Sequence, residues 1–81
     1  MTEYRFMAIV RRHLHMLDPA EELALDTPLW ELGLDSMASA HLVIELENDL
    51  GVALPATSLT AATFASARSL WAVVLQAMRP R

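Results

Sequence analysis

No cysteine occurs in these 81 residues. That absence excludes a disulfide framework, a thiolate zinc site and a protein-borne thiol nucleophile, and it fits a reducing cytoplasm. Long hydrophobic runs are also missing. No apolar stretch approaches the length of a membrane span, and the first residues lack a basic segment followed by a hydrophobic one, so the chain is expected to be soluble, unprocessed and cytoplasmic, with no membrane partner. Positive charge is scarce: six Lys and Arg against ten Asp and Glu give a formal net charge of -4. Phosphate backbones call for a clustered basic face, which argues against nucleic acid as a partner and makes a basic protein surface the more natural one. The one local excess of positive charge, Arg79 and Arg81, reads as a solvated tail. Internal repeats, low-complexity tracts and strand-like alternation are absent too.

What is there is hydrocarbon at helical spacing. More than half of the residues are apolar, enough for a core in one domain of this size without disulfide or metal. From Glu3 to about Leu17, Phe6, Ile9, Val10, Leu14 and Leu17 recur three or four apart, which predicts a first helix that Asp18-Pro19 stops. The stretch from Asp18 to Asp35 carries Pro19, Pro28 and Gly33 but also six large apolar residues, so it reads as a long loop packed on the core, with Thr27-Pro28 able to open a single turn. A second helix is expected from Ser36 to about Leu50, with Ala40, Val43, Leu46 and Leu50 on its core stripe, Leu42 beside it, and Gly51 as the left-handed cap. Ser58 is positioned to cap a short helix over Leu59 to Ala62, although the neighbouring threonines favour local side-chain bonding. The last helix should span Ser66 to Met78, turning Leu70, Val73, Val74 and Ala77 inward, with Pro80 beyond its end. Trp30 and Trp71 are expected at the core or its edge. The fold class is therefore all-α: a small bundle of three main helices, one short helix and a long first loop, in a single domain over 1–81 whose ends, 1–3 and 79–81, fray.

One short run carries chemical information. Leu32-Gly33-Leu34-Asp35-Ser36-Met37 places a capping acid and then a hydroxyl at the mouth of the second helix. Free amides and the positive end of the helix dipole favour an anion there, by roughly 0.3–1 kcal/mol when exposed. Taken alone the pair is ordinary capping chemistry. Other signals point away from catalysis. His13 and His15 lie two apart on a helix and share no face, which speaks against a metal site. A Ser36, His41, Asp35 triad would need a base five residues along the helix to turn back onto the serine, so hydrolysis is rejected.

The run looks like the attachment motif of the acyl and peptidyl carrier proteins, with Met37 where leucine is more usual. Leu46-Glu47, Leu50-Gly51-Val52 and Leu54-Pro55 resemble that family's second helix and its exit, and Thr63-Phe64 with Ser69-Leu70 resemble the last helix and its approach. The resemblance covers nearly the whole chain and implies the acyl-carrier-like bundle. It also implies that a separate phosphopantetheinyl transferase, drawing on coenzyme A, attaches 4′-phosphopantetheine covalently to the Ser36 hydroxyl, with Asp35 as part of the motif. The arm's thiol would then hold an acyl or aminoacyl thioester. The protein itself would do no catalysis and would act, as a monomer, on behalf of a loading ligase or acyltransferase and a downstream acyltransferase or condensing enzyme.

By the same resemblance, Met37 and Ile44 lie where carriers touch partner enzymes. Ala40, His41, Glu45 and Glu47 complete the candidate partner face. Asp49 adds to the acidic side of this helix, and the acids would chiefly set the encounter rate with basic partners. Ala38, His41 and Asn48 stand where strongly acidic fatty-acid carriers tend to place acids. The chain is therefore more similar to discrete carriers of specialised polyketide or nonribosomal peptide biosynthesis, the route to antibiotic-type products, than to a housekeeping fatty-acid carrier. The reading from another class is an unmodified helical docking module, in which Ser36 is dispensable.

Overall fold

The computed structural model describes residues 2–79. Expectations that fall on Met1, Pro80 and Arg81 lie outside those residues. Helix α1 spans Thr2–Arg12, α2 spans Ser36–Leu50 and α3 spans Ala67–Met78. Short 3-10 turns at Leu29–Leu32 and Ala56–Ser58 interrupt the two connectors, and no strand occurs among the described residues. Helix α1 is the element that packs against both α2 and α3.

Phe6, Ile9 and Val10 fill the inner side of α1, Leu42 and Leu46 that of α2, and Ala67, Leu70 and Val74 that of α3; all are buried. Full burial of a side chain of this kind contributes about 1.5–3 kcal/mol, so the hydrocarbon core is the source of stability in a chain with no covalent cross-link. Phe6 also meets Trp71 of α3, their ring centroids 4.8 Å apart and tilted by 42°. Such a pair adds about 0.5–1.5 kcal/mol beyond the burial of area.

Helix α1 stops earlier than its periodicity indicates. The expected end was near Leu17, whereas the helix finishes at Arg12 and the next residues continue as tight turns, with the amides of His13 and Leu14 bonded to the carbonyls of Val10 and Arg11. The Met16 amide bonds to the Leu32 carbonyl at 3.0 Å, a contact with the far end of the loop that takes the place of a helical bond. Leu14 still reaches the core and is buried.

The long first loop is packed, as its apolar content required. Leu23, Leu29 and Leu34 are buried beneath it, and its backbone is tied down at several points. The Leu29 amide donates to the Ala65 carbonyl, and the Arg68 amide to the Leu25 carbonyl. The Arg11 guanidinium donates to the carbonyls of Glu21 and Pro19 at 2.7 and 3.0 Å. The single turn expected at Thr27-Pro28 forms one step later: it comprises Leu29–Leu32, with Pro28 at the cap position and no side-chain cap bond. In a three-residue period Leu29 and Leu32 share a face, which turns the residue after Leu29 outward. Trp30 is accordingly 71% exposed, against the expectation of a place at the core edge.

Helix α2 has the expected bounds, but its buried face is rotated. Leu42 and Leu46 are buried, Val43 and Leu50 are half-buried, and Ala40, assigned to the stripe, is exposed. The expected short helix over Leu59 to Ala62 does not form. The 3-10 turn lies before it at Ala56–Ser58, and Thr63 is drawn inward, its hydroxyl donating to the Ser58 carbonyl and its amide to the Thr60 hydroxyl. Side-chain bonding has won over helix there. Helix α3 opens on a capping box in which the Ser66 hydroxyl accepts from the Ser69 amide and the Ser69 hydroxyl accepts from the Ser66 amide.

Two glycines adopt left-handed backbone, Gly33 at φ 99° and Gly51 at φ 65°. A Cβ at Gly33 would meet the His15 ring at 3.0 Å and Met16 Cγ at 3.1 Å, while at Gly51 nothing lies within 4 Å. Both alanine substitutions are expected to cost about 1–2 kcal/mol for the backbone conformation alone. Gly33→Ala should cost measurably more than Gly51→Ala in urea unfolding, and equal losses would contradict the close approach of residues 15 and 33.

Candidate functional site

The helix that presents Ser36 is fixed from both sides of its start. Leu34 is buried immediately before it, and the Leu34 amide bonds to the Leu29 carbonyl at 3.1 Å, closing the turn against the helix entry. Asp35 is the N-cap: its carboxylate accepts from the Ala38 amide at 2.8 Å, and its carbonyl accepts from the amide and hydroxyl of Ser39. A cap of this kind is worth about 0.5–2 kcal/mol. Its geometry turns the acid onto the helix. The following hydroxyl is left uncovered.

Ser36 is exposed, and its hydroxyl makes no hydrogen bond among the described residues. Of the first-turn amides, that of Ala38 is taken by the Asp35 carboxylate, while those of Ser36 and Met37 have no helical partner and are the donors an attached phosphate would meet. It opens onto a broad depression whose lining also includes Pro28, Trp30, Leu59 and Phe64. There is room for a group on the serine oxygen and nothing to displace. The site fits an attached phosphodiester.

Beyond the serine, Met37 is 71% exposed and Ile44 56% exposed. With Ala40 and His41, also exposed, they recur three or four apart along one outward side of α2. Two acids expected on the same partner face are engaged within the fold. Glu45 accepts from Nε2 of His13 at 2.6 Å and pairs with Arg12, so that it links α2 to α1. Glu47 accepts from the Leu54 amide at 2.9 Å and holds the exit from the helix. The pairing of His13 with a carboxylate is invisible in a sequence where the two stand 32 residues apart. Among the described residues, no group of three or more His, Asp or Glu side chains is arranged to hold a metal.

A second ion pair lies on the same side of the molecule as the depression. Arg68 donates from Nε and from a terminal nitrogen to the two oxygens of Asp26 at 2.7 and 3.0 Å, tying the first loop to the start of α3. Those hydrogen bonds hold the Asp26 carboxyl below its ordinary value, against an opposing desolvation and with a smaller contribution from the positive charge of Arg68. The pair is exposed and screened, so its role is to orient the loop more than to stabilise the fold.

Comparison with known proteins places this geometry. No curated protein sequence matches at a significant level. Solved structures similar in fold include a Bradyrhizobium japonicum glycine:carrier-protein ligase complexed with glycylated carrier protein, with a TM-score of 0.71, 22% identity, and coverage of 90% of this chain and 99% of the matched one, and the same organism's ligase complexed with cognate carrier protein and an analogue of glycyl adenylate, at TM-score 0.74, 22% identity, and coverage of 94% and 99%. Residues 5–75 match the family described as phosphopantetheine attachment site. No helix among the described residues is long and apolar enough to cross a membrane. An all-helical bundle and a family match over most of its length agree, and the chain belongs to the phosphopantetheine-binding carrier proteins, whose covalently attached cofactor is 4′-phosphopantetheine.

Proposed function

We propose that Ser36 is the attachment point of the 4′-phosphopantetheine arm and that the chain holds an acyl or aminoacyl group on it for delivery to partner enzymes of polyketide or nonribosomal peptide biosynthesis. The observation that carries the reading is the family match over residues 5–75 around one exposed serine at a capped helix start, its hydroxyl free of hydrogen bonds among the described residues. The arm supplies the thiol that the cysteine-free chain lacks. What the protein supplies is placement. The Asp35 cap and the buried Leu34 hold the serine oxygen at a fixed point in front of α2, and the phosphodiester formed there meets first-turn amides and the positive end of the helix dipole. Tethering then raises the effective concentration of cargo at each partner's active site, so the chain needs no catalytic group of its own.

The solved relatives in complex with a glycine ligase favour an amino acid as cargo and an ATP-dependent ligase as loading partner. A phosphopantetheinyl transferase acts before it and a condensing enzyme or acyltransferase after it. Met37, Ala40, His41 and Ile44 form the face offered to these partners. Its apolar pair rimmed by small and polar residues suits a transient interface, and because Glu45 and Glu47 are occupied within the fold, recognition rests on shape and apolar contact more than on charge.

Incubation of the purified apo protein with coenzyme A and a broad-specificity phosphopantetheinyl transferase is expected to add one phosphopantetheine mass, and Ser36→Ala is expected to add none. An equal mass gain in Ser36→Ala would put the attachment on another hydroxyl, and no gain in either protein would favour the unmodified docking module. For the partner face, Met37→Glu and Ile44→Glu should each lower kcat/KM for loading by about tenfold, the effect of about 1.4 kcal/mol at an interface anchor, while the helical circular dichroism and Tm remain near those of the parent. Collapse of the fold would show that these side chains pack inward.

A further inference from the structure

The 3-10 turn explains why Trp30 points outward but leaves its indole without a partner among the described residues. Trp30 carries the largest apolar side chain type in the protein and remains 71% exposed. Its backbone is not free to fold the ring away. The Glu31 amide is bonded to the Pro28 carbonyl, the Gly33 amide to the Trp30 carbonyl, and the Leu29 amide to the Ala65 carbonyl, so the turn that carries the indole is pinned on each side. Trp30 lines the same depression as Ser36, together with half-buried Leu59 and Phe64.

We infer that the indole of Trp30 is the resting surface for the pantoyl part of the arm attached at Ser36. This rests on the reading of Ser36 as the attachment point. The chemistry of the arm suits such a site: the phosphodiester stays at the helix start, and the next segment bears two geminal methyl groups, followed by amides. The methyl groups are the apolar part nearest the serine, and an exposed indole beside the same depression is the apolar surface that matches them. An amide carbonyl of the arm is an acceptor for the indole N–H. Because the arm is tethered, its encounter with Trp30 is intramolecular, and a weak contact is enough to bias its position. The parked arm is then drawn off when a partner competes for it.

The test uses Trp71→Phe, which leaves Trp30 as the sole tryptophan and retains an aromatic ring against Phe6. Conversion of apo to holo protein is followed by intact mass. On complete conversion the acrylamide quenching constant of Trp30 is expected to fall by about half as one face of the ring is covered, with its emission shifted to the blue. In the unaltered holo protein, where the folding of Trp71→Phe is not in question, nuclear Overhauser contacts should join the arm's geminal methyls to the indole protons. Holo Trp30→Ala should return those methyl resonances to their positions in free phosphopantetheine. Full mass gain with unchanged quenching and no such contacts overturns the inference while leaving the attachment reading intact. Protection that arises only on adding a loading enzyme also overturns it, in favour of Trp30 as a partner contact. Absence of any mass gain removes the attachment reading and this inference together.

Discussion

Burial of the inner face of α1 between α2 and α3 is the interaction on which the rest of this structure depends. Phe6, Ile9 and Val10 on one side, and Leu42, Leu46, Leu70 and Val74 on the other, are almost fully removed from water. Ordering a residue costs about 1–2 kcal/mol of backbone entropy. In a chain without disulfides, the apolar contact is the term large enough to offset that. The ion pairs of Arg12 and His13 with Glu45, and of Arg68 with Asp26, are partly or largely exposed and set orientation within a frame that hydrocarbon has already made.

That frame explains why the first loop is long and yet ordered. With α1 and α2 joined at their inner faces, the connector has to travel back along the bundle, and it does so by burying Leu23, Leu29 and Leu34 and lending its backbone to Ala65, Arg68 and Met16. The last of these apolar anchors lies one residue before the Asp35 cap. Core packing is thereby transmitted to the position of Ser36, which is itself exposed. A carrier needs this combination: a rigid origin for a mobile arm. On the proposed attachment, exposure would let different enzymes reach the serine, and rigidity would make the place from which the arm starts the same for each of them.

Much of this was legible in the chain. The bounds of α2, its left-handed cap at Gly51, the extent of α3 to within one residue and the packed first loop follow from local chemistry that leaves a mark on the sequence. The resemblance of the run around Ser36 to a carrier motif pointed to the family that the match over residues 5–75 then showed. What was misread depends on partners distant in sequence. Apolar residues surround α2, so periodicity marks its buried face poorly, and only contact with α1 selects Leu42 over Ala40. The end of α1 is set by the bond between Met16 and Leu32, and the engagement of Glu45 by His13 and Arg12. Trp30 was assigned inward because large aromatics usually are, whereas the three-residue period of its turn gives the inner places to Leu29 and Leu32.

The proposed attachment point and the proposed partner face lie on different parts of the same helix. Ser36 lies at the end of α2, Met37, His41 and Ile44 run along its outer side, and an enzyme that reads the side need not cover the end. The central claim, that the free hydroxyl at this helix start is the anchor, is tested most directly by fragmenting the modified protein in the mass spectrometer and locating the added group. The account expects it on Ser36, with Ser39, three residues on and hydrogen-bonded to the Asp35 carbonyl, unmodified. Phosphopantetheine on Ser39 or on any other hydroxyl would contradict it.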